Sequence, residues 1–349
     1  MDATGKMRDR ILAAARDGTP LRLRGGGTKD WYGRDLQGTV LDLRAHRGIV
    51  DYDPAELVIT ARGGTPLAEV EDALAQRGQW LAFEPPHFGE GATIGGCVAS
   101  GLAGPRRATA GSPRDFVLGA TVLDGRGQVL RFGGQVMKNV AGYDVARLMA
   151  GSLGTLGVVL DVSLKLLPRP PAEATLAFEC DETAAIARMN TLAGQPLPVS
   201  ATAWHAGALH VRLSGAVASV RKLCGTLGGR LVEPGEAAGF WTSLREQTHP
   251  FFDAARGPLW RCAVPSTTPP LAIGDTLIEW GGGQRWVRGD GARAAANRAG
   301  GHAVAFRFHA DRAAAFDALP APLLAIHQRL KAVFDPAGIL NRGRLHAEL

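Results

Sequence analysis

The sequence predicts an α+β fold built in two blocks. Helix-period and strand-period segments are mixed along the chain. Its 349 residues, 46% of them hydrophobic, are enough for a sizeable core and suit two domains. Pro168-Arg169-Pro170-Pro171 puts three prolines in four residues and marks the boundary. The blocks are therefore 1–171 and 172–330, followed by a closing segment at 331–349.

The first block opens with a helix over Lys6–Arg16. Met7, Ile11 and Leu12 share its apolar face, and Gly18 stops it. Leu21–Arg24 is a short strand running into Gly25-Gly26-Gly27. Thr39–Leu43 and Leu57–Ala61 are strands with β-branched content. Thr65 is placed to cap a helix that begins at Pro66, carries Leu67, Val70 and Leu74 inward, and ends at Gly78. Val117–Leu123 and Gln128–Phe132 flank Asp124-Gly125, a hairpin turn. Tyr143–Met149 reads as a short helix and Gly157–Leu167 as a strand.

In the second block, strands Ala174–Phe178, Leu209–Leu213, Leu259–Val264 and His302–Arg307 alternate with helices. The helices are Thr183–Leu192, Val217–Leu227, Ala237–Gln247 and Ala310–Ala318. The alternation predicts βα repeats. An amphipathic helix over Pro322–Phe334 leads into the closing segment.

Bulk composition excludes several classes. Lys plus Arg is 39 against 33 Asp plus Glu, a formal charge of +6, but the charges are dispersed without the basic block a nucleic-acid footprint needs. Cys97, Cys180, Cys224 and Cys262 lie at least 38 residues apart, with none of the short spacings of zinc or iron–sulfur ligands, and read as reduced thiols. The polar N-terminus has no signal-peptide core, and no apolar run approaches a membrane span. A cytoplasmic location is expected.

Residues 93–157 are crowded with glycine, alanine and isolated polar side chains. Such a stretch cannot fill its own core, and a flat cofactor with a pyrophosphate suits the space. Arg24-Gly25-Gly26-Gly27-Thr28 follows a strand. It is either an anion cradle of backbone N–H groups or an ordinary turn, and its spacing matches neither a phosphate loop nor a Rossmann turn. Thr93-Ile94-Gly95-Gly96 is placed to open a short helix. Its glycines serve either a pyrophosphate at unpaired N–H groups or close packing. Arg106 or Arg107 can neutralise a phosphate and Asp115 can hold either a loop or a ribose, with a solvated surface charge as the alternative for each arginine. Lys138-Asn139-Val140-Ala141-Gly142-Tyr143-Asp144 precedes Gly151–Gly157, where Gly154 and Gly157 bracket the start of a strand whose backbone can face a ring.

In order and spacing, RGGGT at Arg24–Thr28, ATIGG at Ala92–Gly96, SPRDFVLGATVLDGRGQVL at Ser112–Leu130, KNVAGYD at Lys138–Asp144 and GSLGTLGVV at Gly151–Val159 form a known pattern. It resembles the FAD-binding domain of the vanillyl-alcohol-oxidase type, the p-cresol-methylhydroxylase fold. FDPAGILNRGRL at Phe334–Leu345 is similar to the closing segment of that superfamily, although Arg342 stands where many relatives have proline. KNVAGYD and the short length look most like E-type subunits of bacterial glycolate oxidases. The resemblance implies an FAD-binding domain of two small subdomains, an α+β cap domain, and a closing segment that returns to the FAD domain. It implies cofactor contacts at Arg24, Gly25, Gly26, Gly27, Thr28, Thr93, Ile94, Gly95, Gly96, Arg107, Gly111, Asp115, Gly157 and Val158.

Two absences shape the expected function. Relatives with covalent flavin often carry a histidine beside the first glycine loop, and here that neighbourhood has none, so FAD is expected to bind noncovalently. The catalytic hydroxy-acid dehydrogenases of the superfamily carry an HxGDGNxH-like segment. This chain has only Arg288-Gly289-Asp290-Gly291, and no metal site is expected. The resemblance therefore implies a flavin-bearing, electron-handling subunit of a complex that oxidises glycolate to glyoxylate. Its implied partners are a larger D-type flavoprotein and an iron–sulfur F-type subunit, through which it could associate with a membrane. Two other classes stay open. One is a self-sufficient dehydrogenase of a small 2-hydroxy acid using Lys138, Arg285 or His309; the other is a non-catalytic scaffold.

Overall fold

The computed structural model describes residues 2–134 and 144–349. The chain forms two compact units. The first comprises Met1–Leu102, Ser112–Pro168 and Arg312–Leu349; the second comprises Ala103–Gly111 and Arg169–Asp311. This division differs from the sequence boundaries in three places. It breaks before Arg169 rather than after residue 171, and the first unit regains the chain at Arg312 rather than 331. Residues 103–111 also belong to the second unit, where Thr109 donates to the Ser200 carbonyl (2.9 Å) and Trp280 Nε1 to that of Gly104 (3.1 Å).

The first unit opens with a helix, Ala3–Asp17. The Asp2 carboxylate caps it by accepting from Gly5 N–H, and Gly18 closes it at φ 66°. Met7 and Ile11 are buried as expected, whereas Leu12 is 42% exposed. Strands β1 (Leu21–Arg24) and β2 (Thr39–Asp42) pair in parallel. Strands β3 (Ile49–Asp53) and β4 (Val58–Arg62) then lead into helix Leu67–Ala75 and the short β5 (Gln79–Trp80). Thr65 does not cap that helix. Its hydroxyl is fully buried and donates to the Arg62 carbonyl at 2.6 Å, fastening the turn after β4.

Strands β6 (Val117–Leu123), β7 (Val129–Gly133), β8 (Val158–Lys165) and β9 (Leu167–Pro168) complete the unit. A five-stranded antiparallel sheet runs β3-β4-β8-β6-β7, and β5 pairs with β9. The β6–β7 turn is organised by Asp124, whose carboxylate accepts from the N–H groups of Arg126 and Gln128, with Gly127 taking positive φ. The expected helix at Tyr143–Met149 is a 3₁₀ turn at Ala146–Met149, with Tyr143 outside the described residues.

The closing segment is stitched into the same unit. Leu21 N–H donates to Ile339 O (2.7 Å) and Asn341 N–H to Leu21 O (2.9 Å), while Leu340 bridges Leu21 in parallel. Ahead of it, Lys331 on helix Ala321–Phe334 is buried. Its ammonium donates to Thr155 O, Leu340 O and the Asp335 carboxylate, which in turn accepts from Ile339 and Leu340 N–H. All three Lys protons are thus used, the condition for tolerating a buried ammonium.

In the second unit the strands are β10 (Ala172–Glu179), β11 (Val199–His205), β12 (Ala208–Gly215), β13 (Arg230–Leu231), β14 (Leu259–Ala263), β15 (Asp275–Glu279), β16 (Gln284–Arg288) and β17 (His302–Arg307). They form one eight-stranded sheet, ordered β13-β10-β12-β11-β15-β16-β14-β17. Every pairing in it is antiparallel, because the two βα repeats, β10–helix Glu182–Ala193–β11 and β12–helix Val217–Thr226–β13, interleave so that each unit's two strands are separated by a strand of the other. The helices Glu182–Ala193, Val217–Thr226 and Pro234–Glu246 match those expected. Residues 310–318 do not form a helix; they make turns in which the Arg312 guanidinium bonds the Gly33 carbonyl (2.8 Å).

A candidate cofactor cleft

Within the first unit, two adjoining hollows enclose about 430 and about 540 Å³ of open space. Leu23, Gly25, Thr93, Gly96, Ala99, Leu153 and Asn341 border both. One also has Gly63, Gly95, Gly154, Gly157 and Val158 in its wall, and the other has Arg24, Gly26, Gly27, Thr28, Lys29, Asp30 and Arg344. The two glycine loops singled out in the sequence thus meet at one cleft, with the start of β8 as a further wall.

The loops contribute differently. Between β1 and Thr28 the chain turns through Gly25-Gly26-Gly27, with Gly27 at φ 76°. A Cβ on Gly26 would collide with the Gly91 carbonyl, and one on Gly25 with the Thr93 hydroxyl, so only glycine permits this approach. Among the described residues, the N–H groups of Gly26 and Gly27 have no protein acceptor. They are donors available to an anion.

The second loop does not have the unpaired donors expected of it. Thr93 caps helix Ile94–Ser100, its hydroxyl accepting from Gly96 N–H at 3.2 Å. Ile94 N–H donates to Thr65 O, Gly95 N–H to Gly63 O and Cys97 N–H to Thr93 O. The donors at this helix end are spent on the fold. Gly95 and Gly96 therefore supply clearance rather than hydrogen bonds. A Cβ on Gly95 would lie 2.7 Å from Gly63 O, whereas one on Gly96 would meet only the Thr93 hydroxyl, at 3.1 Å.

The expected site residues divide accordingly. Arg24, Gly25, Gly26, Gly27, Thr28, Thr93, Gly95, Gly96, Gly157 and Val158 line the cleft. Ile94 is fully buried beneath it as core. Asp115 closes a capping box, accepting from the N–H and hydroxyl of Ser112 (2.7 and 2.9 Å), and does not border the cleft. Arg107 and Gly111 belong to the second unit, where the Arg107 guanidinium stacks 4.5 Å from the Trp280 ring. The KNVAGYD motif, apart from Asp144, lies outside the described residues.

Sequence reasoning missed Gly63, which follows β4 as an unremarkable turn glycine, and Asn341. Asn341 is the fastener of the cleft: its side chain accepts from Leu23 N–H (2.8 Å) and donates to Leu153 O (2.6 Å). The FDPAGILNRGRL resemblance was the signal that could have found it. Charge at the cleft is mainly positive. Lys29 and Arg344 border it, as do Arg24 and Asp30, and the Asp30 carboxylate is bound by both Arg22 and Arg24.

Residues considered for self-sufficient catalysis are used structurally. Arg285 is fully buried on β16 and donates to Gly282 O and Thr268 O; burial, opposed by Glu182, brings its guanidinium pKa down to about 10. His309 bonds the Leu259 carbonyl (3.0 Å) and sits edge-on to Trp260. Lys138 lies outside the described residues. Among the described residues no cluster of His, Cys, Asp or Glu could hold a metal ion, and no helix is long and apolar enough to cross a membrane.

The family model described as "FAD binding domain" matches residues 4–133, which include both glycine loops. The chain is 48% identical to "Glycolate oxidase subunit GlcE" of Escherichia coli (strain K12), over 100% of this chain and 99% of that protein. It is 32% identical to "Glycolate oxidase subunit GlcD" of Bacillus subtilis (strain 168), over 47% of this chain and 35% of the relative. Among solved structures it superposes on an alkyldihydroxyacetonephosphate synthase with a TM-score of 0.67 at 15% identity, covering 96% of this chain and 74% of that one, a likeness of fold. With a nearly full-length relative at this identity, the chain belongs to the GlcE family of glycolate oxidase subunits, FAD-dependent oxidoreductases of the p-cresol-methylhydroxylase type.

Proposed function

We propose that this chain is the FAD-bearing E-type subunit of a glycolate oxidase. It holds FAD noncovalently in the first unit's cleft and takes part in oxidising glycolate to glyoxylate. It does so beside a D-type flavoprotein, with an iron–sulfur F-type subunit as the further partner. The observation that carries the reading is the cleft itself: a wall of glycines, two unpaired backbone donors and a surplus of cations, with both glycine loops inside the segment that matches FAD-binding domains.

These residues fit the cofactor. Gly26 and Gly27 N–H groups would donate to the pyrophosphate, and Arg24 and Lys29 would offset its charge. Gly25, Gly95 and Gly96 keep the walls low enough for close approach. Leu23, Leu43, Ala99, Leu153, Val158 and Val159 form an apolar lining that excludes water. When bound, FAD supplies a two-electron acceptor that can pass electrons onward, while the protein sets position and potential.

The described lining contains no free base. Its titratable groups are Arg24, Lys29, Arg344 and the arginine-bound Asp30. A cation holds a carboxylate but does not remove a hydroxyl proton. This supports the electron-handling role and leaves proton abstraction to another subunit.

The test is the visible spectrum of the purified chain before and after acid precipitation, followed by turnover with an artificial acceptor. The expected result is flavin released into the supernatant, with glycolate oxidation appearing only in the assembled complex. Flavin retained in the precipitate contradicts noncovalent binding. Glycolate turnover by the chain alone, at the rate of the complex, contradicts the accessory role.

A further inference from the structure

Arg344 is a buried cation whose charge the fold leaves partly uncompensated. It is 5% exposed and borders the cleft beside the first glycine loop. One guanidinium nitrogen donates to the Lys29 carbonyl at 3.1 Å. The other terminal nitrogen, Nη1, is buried and has no hydrogen-bond partner among the described residues. Among the described residues Arg344 has no ion-pair partner within salt-bridge distance, and the nearby Asp30 is already bound by Arg22 and Arg24.

The surroundings add to the strain. Burial pulls the guanidinium pKa down to about 10. Asp30 and Asp35 oppose that fall, and the positive charges of Arg22 and Arg312 add to it. A buried, half-satisfied guanidinium among like charges is costly unless an anion completes it. The neighbouring donors are the unpaired N–H groups of Gly26 and Gly27, on the same cleft. Backbone donors and a guanidinium together make a site for a pyrophosphate, which carries one negative charge on each phosphorus.

We infer that Arg344 is a cofactor-positioning residue that holds the pyrophosphate of FAD opposite the Gly26-Gly27 loop. The inference rests on the proposed FAD-binding role and adds a residue from the far end of the chain to it. Arg344 acts on binding and not on the reacting atoms. Its removal should therefore discriminate among flavins by their phosphates.

The experiment uses the full-length chain, stripped of flavin, as wild type, Arg344→Met and Arg344→Lys. Each is titrated with FAD and with riboflavin, which lacks both phosphates, and the melting temperature is read with and without FAD. The expected result for Arg344→Met is FAD affinity reduced at least tenfold, riboflavin affinity unchanged, and a flavin-free melting temperature equal to or above wild type. Arg344→Lys should recover part of the FAD affinity, because it restores the charge without the planar fork. Equal FAD affinity in wild type and Arg344→Met overturns the assignment while leaving the FAD-binding role intact. So does a parallel loss of FAD and riboflavin binding with a lowered flavin-free melting temperature, which marks a structural arginine. A wild-type chain that binds no FAD overturns the FAD-binding role and this assignment together.

Discussion

Two glycine loops of nearly the same composition face one cleft, and they spend their backbones in opposite ways. Gly25-Gly26-Gly27 leaves the N–H groups of Gly26 and Gly27 without acceptors among the described residues. Thr93-Ile94-Gly95-Gly96 uses its donors on Thr65, Gly63 and the Thr93 hydroxyl. Glycine in the first loop permits a tight crossing and leaves two donors open. Glycine at position 95 serves the fit of one chain segment on another. The lesson is that a glycine-rich motif does not by itself announce donors; the fate of each N–H decides its role.

The largest effect is expected at Gly26. In Gly26→Ala the new methyl meets the Gly91 carbonyl, so the loop must move away from its donor geometry. FAD affinity should fall about 100-fold or more, since roughly 1.4 kcal/mol corresponds to each factor of ten. Fluorescence titration checks this, and near-normal affinity would place the pyrophosphate elsewhere.

Gly95 and Gly96 should then separate. Gly95→Ala pushes against Gly63 backbone and should destabilise the flavin-free protein by about 1–3 kcal/mol. Gly96→Leu faces the cleft and should abolish FAD retention while leaving the flavin-free melting temperature close to wild type. Denaturant unfolding of both flavin-free variants decides the matter. If the two lose stability equally, the loop does not divide as described.

Thr93→Val removes the cap over Gly96 N–H and should cost about 1 kcal/mol, with FAD affinity reduced less than in the glycine variants. Here the readout is a small drop in melting temperature; a shift as large as that of Gly95→Ala would contradict the ranking.

The smallest effect lies away from both loops. Burial, with the charges of His205, His210 and Arg256 adding to it, lowers the His249 pKa from 6.5 to about 4. Below pH 6.5 the unfolded chain takes up a proton that the folded chain refuses until about pH 4. Stability should therefore fall as pH drops through this window and be flat, for this group, above it. His249→Asn should flatten the melting-temperature profile in that window without changing FAD affinity at pH 7. An unaltered profile would show that His249 does not carry the effect.

Much of the cleft was legible because its determinants are local. A strand followed by three glycines, and a threonine before two more, can be read directly from neighbouring residues. What escaped was non-local or disguised. The pairing of Asn341 with Leu23 and Leu153 depends on segments far apart in sequence. Strand β16 escaped because Gln284, Arg285 and Arg288 are polar yet buried, which breaks the alternation that marks a strand. The antiparallel order of the second sheet was invisible because alternation of helix and strand says nothing of which strands pair. Residues 310–318 have the alanine content of a helix but are held in turns, with Arg312 anchored on Gly33. For Asp115 the sequence left a loop contact and a ribose contact both open, because a capping carboxylate and a ligand carboxylate look alike, and the structure has it holding the Ser112 turn.

The Asn341 fastener sets an order of events during synthesis. Leu23 leaves the ribosome 318 residues before the side chain that completes its hydrogen bonding. At 5–20 residues per second, that interval is roughly 15–60 s. During it the β1 edge and the first glycine loop lack their clamp, although every cleft glycine is made well before it ends. Flavin loading is therefore a late, post-translational step, and a nascent chain halted before Asn341 should emerge colourless.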